Sequence, residues 1–136
     1  MKFEHMFSPI QIGPMVVKNR FVVPPMGNNF ANTDGTWSEQ SIAYYAERAK
    51  GQFGLITIEA TVVQNAGPEG NAKNAGAPIQ AASPIQACEA KDIPKEVPTE
   101  RVYELVKGYG EAAQRAVKAG VDAVEIHMAH GYLVNS

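Results

Sequence analysis

Residues 121–133 read Val121-Asp122-Ala123-Val124-Glu125-Ile126-His127-Met128-Ala129-His130-Gly131-Tyr132-Leu133. The first seven are rich in β-branched residues and predict a strand. Directly before them, Val102, Leu105, Val106, Tyr109, Ala112, Ala113, Ala116 and Val117 form one apolar stripe at helical spacing. Thr99 is the candidate N-cap of that helix, Glu100 suits its first turn, and Gly120 ends it. A helix that runs straight into a strand is the second half of a parallel βα unit.

Further upstream, residues 64–98 break the rhythm. They are rich in Gly, Ala, Pro, Asn and Gln, and Pro68, Pro78, Pro84, Pro94 and Pro98 punctuate them. Before them the alternation returns. A short strand is expected within Leu55-Ile56-Thr57-Ile58-Glu59-Ala60, and before it a helix from Ser38 to about Lys50. Ser38 is the N-cap, Glu39 faces the positive end of the helix dipole, Ile42, Tyr45 and Ala46 mark the inner face, and Gly51 is the stop. Residues 27–37 read as a loop. Phe21-Val22-Val23 is a strand expected to be buried on both faces, and Pro24 and Pro25 end its ladder. At the front, Gly13-Pro14 divides two short apolar stretches into a β-hairpin. The chain is α/β, and the alternation alone leaves a barrel and an open doubly wound sheet both standing.

The chain has 136 residues, 45% apolar and 19% charged, with a formal charge of −2. These values suit a soluble globular domain and lack the basic patch that nucleic acid requires. The single cysteine, Cys88, excludes an internal disulfide and reads as a bystander thiol. No apolar run reaches the ~20 residues of a membrane helix. The N-terminal Met1-Lys2-Phe3-Glu4-His5-Met6-Phe7 lacks the pattern of a secretory signal, so the expected location is the cytoplasm.

In parallel α/β folds chemistry gathers at the C-terminal ends of strands. Three such tips are visible: Pro24-Pro25-Met26-Gly27, Glu59-Ala60-Thr61, and His127 to Tyr132. None is a phosphate-gripping glycine loop. At the third tip, two imidazoles three residues apart converge if the chain turns, which Gly131 permits. Their N–H groups suit a substrate oxygen, and the Tyr132 phenol suits proton transfer. Competing readings are a zinc site, which lacks an obvious third ligand, and histidines satisfied within a core. Met26 at a strand end is more often core filler than a cofactor contact. Glu59 and Glu125, both in apolar strands, each need a partner or a role. Trp37 and the Tyr44-Tyr45 pair read as packing around the first helix, and His5 as surface.

These residues resemble a known family. Phe7-Ser8-Pro9-Ile10-Gln11-Ile12-Gly13 with Val17-Lys18-Asn19-Arg20 resembles the opening of Old Yellow Enzyme-like NADH:flavin oxidoreductases. Val23-Pro24-Pro25-Met26-Gly27 resembles their first strand end. Tyr45-Ala46-Glu47-Arg48-Ala49-Lys50-Gly51, Gly54-Leu55-Ile56 and Glu59-Ala60 resemble their second unit. Asp122 to Leu133 resembles a strand ending in His-x-x-His/Asn-Gly-Tyr-Leu, which is the most specific match.

The resemblance implies part of a TIM (β/α)₈ barrel with an initial β-hairpin, holding FMN at its C-terminal mouth. It implies an oxidoreductase that passes hydride from NAD(P)H through FMN to an activated alkene, an enone or enoate. Pro25, Met26, Gly27 and Ala60 would line the flavin. His127 and His130 would bind the substrate oxygen, and Tyr132 would protonate the α-carbon. Many relatives carry Cys or Thr where Gly27 stands. A Gln-Leu-x-His-x-Gly-Arg motif of the family is absent, as if a block were missing after Val63. Gly67-Pro68-Glu69-Gly70-Asn71 resembles the loop trailing that block, and residues 75–98 the linker beyond it. A complete barrel takes roughly 250 residues, with phosphate loops after strands 7 and 8. The expectation is therefore an incomplete FMN-binding barrel domain over residues 1–136, irregular over 64–98, that binds FMN weakly or not at all alone. It would take a small unsaturated substrate, and no nucleic acid or membrane; a homo-oligomer or a complementing chain would close its open edges. The alternative is a non-catalytic remnant that docks onto a partner.

Overall fold

The computed structural model describes residues 3–61, 63, 80–86, 93–130 and 132–135. Cys88, Gly131 and residues 67–71, each given a reading above, lie outside them. The chain divides into two compact units, Met1–Thr61 and Val62–Ser136.

The first unit opens with one helical turn, α1 (Glu4–Phe7), and the expected hairpin, β1 (Ile10–Ile12) and β2 (Met15–Val17). The two strands are antiparallel, with Ile10 opposite Val17 and Ile12 opposite Met15. Gly13 adopts φ +55° at the bend, a left-handed conformation free of steric cost only for glycine. The Phe7 ring packs on Phe21 with centroids 5.3 Å apart.

A βαβ unit follows: β3 (Val22–Val23), α2 (Glu39–Lys50) and β4 (Leu55–Ile56). β3 and β4 are parallel, Val22 opposite Leu55 and Val23 opposite Ile56. The Thr57 N–H donates to the Val23 carbonyl at 2.9 Å. Beyond that point Pro24 and Pro25 have no N–H to offer. The expectation of burial on both faces holds for Val23 but not for Val22, which is 50% exposed. Parallel strands are covered on both faces only inside a wider, helix-flanked sheet, and this sheet has two strands among the described residues.

Ser38 caps α2 as expected. Its hydroxyl oxygen accepts from the Ser41 N–H at 3.1 Å and donates to the Phe30 carbonyl. Replacing Ser38 with alanine is expected to cost about 1 kcal/mol, read as a lower urea midpoint. The inner face of α2 differs from the apolar reading. Ile42 is 55% exposed, while Ser41 is buried and Tyr44, Tyr45 and Arg48 are half-buried. These four stand at i, i+3, i+4 and i+7, so the true stripe is polar and aromatic. It faces a ring cluster: Trp37 stacks on Tyr45 at 5.2 Å, Phe30 meets Tyr44 edge-on at 5.9 Å, and the Arg48 guanidinium lies over the Tyr44 ring. The reading of Trp37, Tyr44 and Tyr45 as packing residues holds.

In the second unit, β5 (Gln80–Ala81) and β6 (Lys95–Glu96) form a short parallel pair inside the segment read as irregular. Val97 follows and is buried. Next comes α3 (Thr99–Lys118), whose N-cap is Pro98 rather than Thr99, with no side-chain cap. Pro98 sits at ψ 150°, outside helical backbone, and Thr99 is already helical, so the helix starts one residue earlier than a Thr99 cap requires. Gly108 is buried, Leu105, Tyr109, Ala112, Ala113 and Ala116 are half-buried, and Val102, Val106 and Val117 are exposed. Gly120 ends the element at φ +81°, as expected.

Residues 121–127 do not form the expected strand. They are exposed, and no ladder joins them to another strand among the described residues. β-branched side chains favour extended backbone, but a strand exists only where a neighbour meets its N–H and C=O groups. Val124 and Ile126 are more than half exposed in consequence. No helix of the described residues is long and apolar enough to cross a membrane.

Candidate active site

In the first unit the residues after β3 and β4 meet through one carboxylate. Pro25, Met26 and Gly27 follow β3 and are exposed, with the Met26 N–H donating to the Pro24 carbonyl at 2.8 Å. Gly27 leaves open space where a side chain would stand; a Cβ there would meet nothing nearer than Glu59 Oε2, at 4.0 Å. Ala60 follows β4 and is exposed. Glu59, just before it, is half-buried, and its Oε2 accepts from the Asn28 N–H at 2.7 Å and the Asn29 N–H at 3.4 Å. The question raised by a carboxylate in an apolar strand is thereby answered: its partners are main-chain amides. Glu125, the other such carboxylate, is exposed.

The Glu59 N–H in turn donates to the Tyr45 hydroxyl oxygen at 2.8 Å. Burial pushes the Tyr45 phenol above its ordinary value; the Glu59 N–H opposes this, and the Glu59 charge adds to it. A group whose folded pKa is raised stabilises fully below its unfolded pKa, and that contribution is lost as pH climbs through the folded value. The thermal midpoint is therefore expected to fall as pH rises past about 10, and Tyr45→Phe is expected to flatten that fall. Tyr45 and Asn28 were not legible as tip residues, because no local pattern records a contact made across 14 or 31 positions.

The second unit brings His127, His130 and Tyr132 together. The ring centroids of His127 and His130 are 5.4 Å apart and nearly perpendicular, and those of His127 and Tyr132 are 5.2 Å apart. The turn is made at His130 itself, at φ +60°. The Tyr132 N–H donates to the Ala129 carbonyl at 3.3 Å. All three side chains are exposed. Two imidazoles and a phenol grouped this way can donate hydrogen bonds to one oxygen and deliver one proton. Among the described residues, no group of three His, Cys, Asp or Glu could hold a metal ion.

Known structures share this fold. The Old Yellow Enzyme from Pichia sp. AKU4542 superposes with a TM-score of 0.79 at 25% identity, over 96% of this chain and 47% of that one. The Old Yellow Enzyme homologue from Zymomonas mobilis gives 0.72 at 26%, over 94% and 49%. Those neighbours are TIM barrels, and the chain is a partial α/β fragment of that barrel, as expected. In sequence it is 32% identical to cinnamate reductase of Clostridium sporogenes over 187 residues, covering 98% of this chain and 27% of that protein. It is 34% identical to NADPH dehydrogenase of Bacillus subtilis over 168 residues, covering 96% and 50%. The chain thus spans half or less of the relatives it matches. Both aligned stretches exceed its 136 residues, so these relatives carry internal segments with no counterpart here. A profile of the NADH:flavin oxidoreductase / NADH oxidase family matches residues 5–76 and 65–136. On these matches, which together take in nearly the whole sequence, the chain belongs to the NADH:flavin oxidoreductase / NADH oxidase family.

Proposed function

We propose that this chain carries cofactor-facing and substrate-facing tips of an FMN-dependent oxidoreductase that uses NAD(P)H to reduce an activated alkene, an enone or enoate. The observation that carries this reading is the grouping of His127, His130 and Tyr132 on one turn. The name of the Clostridium relative, cinnamate reductase, denotes reduction of an α,β-unsaturated carboxylate and supports the same class.

The first unit fits a flat ring. Gly27 has no side chain and the space beside it is open, with Glu59 Oε2 the nearest atom to its missing Cβ at 4.0 Å; Pro25 and Met26 before it, and Ala60 after β4, add no charge of their own. When bound, FMN supplies the capacity to accept and return a hydride. The chain's own residues do the rest. His127 and His130 donate to the substrate's carbonyl or carboxylate oxygen and stabilise the charge that develops there. Tyr132 gives its phenolic proton to the α-carbon. Overall the alkene gains a hydride at the β-carbon and a proton at the α-carbon, and NAD(P)H is oxidised.

The test is a titration of the purified chain with FMN, followed by NAD(P)H consumption with and without an enone. Saturable binding is expected, and weak, since no glycine-rich phosphate loop stands at any of the three tips. Alkene-dependent oxidation should accompany it. The absence of any FMN binding overturns the reading. It would favour a non-catalytic docking role, for which the exposed Val121, Val124, Ile126 and Met128, on a segment that joins no ladder among the described residues, are the supporting observation.

A further inference from the structure

Glu59 holds a segment that is unfavourable by itself. Asn29 sits at φ +56°, in the left-handed region, where a non-glycine residue carries a steric cost. The Asn28 side chain accepts from the Phe30 N–H through Oδ1 at 2.9 Å, yet its Nδ2 is buried without a partner. Such features persist only where surrounding contacts over-determine them. The contacts here are the two main-chain N–H bonds to Glu59 Oε2. Glu59 is itself anchored by its own N–H on the Tyr45 hydroxyl, and Tyr45 is anchored by stacking on Trp37. A continuous chain of contacts therefore runs from α2, through Glu59 beyond the end of β4, to the residues directly after Gly27.

We propose that Glu59 is a positioning residue: acting through the Asn28 and Asn29 amides, it fixes Gly27 at the distance from Ala60 that a flavin ring requires. This rests on the cofactor reading above. The carboxylate acts by reach and as an acceptor. Glutamine has the same length and retains one acceptor oxygen, so it can hold the Asn28 amide. Aspartate keeps the charge but is one methylene shorter and draws back from both amides.

The experiment follows the amide resonances of Gly27, Asn28 and Ala60 in the full chain as FMN is added, a readout that measures weak binding directly. Glu59→Gln is expected to bind within about threefold of the wild type. Glu59→Asp and Glu59→Ala are expected to bind about tenfold more weakly, the loss of one hydrogen bond to a main-chain amide, and to exchange the Asn28 and Asn29 amide hydrogens faster. Wild-type affinity in Glu59→Asp with loss in Glu59→Gln would mean that charge, not reach, is what matters, and overturns the proposal. So does fast exchange of both amides in the wild type, a measurement that needs no variant to fold. A wild-type chain whose resonances do not respond to FMN overturns the cofactor reading and this role with it. A responsive wild type beside an equally responsive Glu59→Ala overturns this role alone.

Discussion

His127→Ala is expected to lower kcat/KM for enone reduction by about 10²–10³ in flavin-loaded protein, the loss typical of removing one donor from a developing oxyanion. Its folding midpoint should stay near the wild-type value, because His127 is exposed and little packing is lost. FMN affinity should also hold, since none of the residues proposed to line the flavin is altered. The neighbouring positions separate the roles. His130→Ala should act in the same sense as His127→Ala, and the double variant should lose less than the product of the two, because both imidazoles are proposed to serve one oxygen. Tyr132→Phe removes the proton and keeps the ring, so it should slow turnover by about 10² without weakening substrate binding. Steady-state rates at saturating NAD(P)H give these numbers. Undiminished turnover in His127→Ala would remove it from the site.

Gly54→Ala is expected to destabilise the first unit by about 3 kcal/mol, a large share of the 5–15 kcal/mol typical of a domain. A Cβ at Gly54 would collide with the Asn19 carbonyl, and would lie 2.8 Å from Asn19 Oδ1 and 2.8 Å from Val17 Cγ1. Asn19 has little room to retreat. Its Nδ2 donates to the Gln52 carbonyl at 2.8 Å, and its Oδ1 accepts from the Phe21 N–H at 3.0 Å. The Gly54 N–H donates to the Phe21 carbonyl at 2.9 Å, so relief at one point breaks a contact at another. Gly110→Ala is the control. It lies inside α3 with nothing near its missing Cβ, and alanine there should stabilise by about 0.5–1 kcal/mol. Denaturant midpoints of the two variants should move in opposite directions; a Gly54→Ala midpoint equal to the wild type would refute the close approach.

Elements whose causes lie within a few residues were legible. The hairpin follows from Gly13-Pro14, the start of α2 from Ser38, the end of α3 from Gly120, and the length of α3 from its apolar stripe. The grouping of His127, His130 and Tyr132 was legible for the same reason, since one turn of backbone suffices to bring them together. The sequence also carried the family, through motifs spread from the opening hairpin to residues 122–133. The rest depended on what each residue meets across space. The inner face of α2 is set by Phe30 and Trp37, which the loop leading into the helix folds back against Tyr44 and Tyr45, leaving Ile42 outside. Glu59 is paired by amides 30 and 31 positions away. Residues 121–127 have the composition of a strand and lack, among the described residues, the neighbour that would make them one. Propensity acts on a residue's own backbone and is written locally, whereas a ladder or a buried pair belongs to two segments at once, and only the folded chain decides which segments meet.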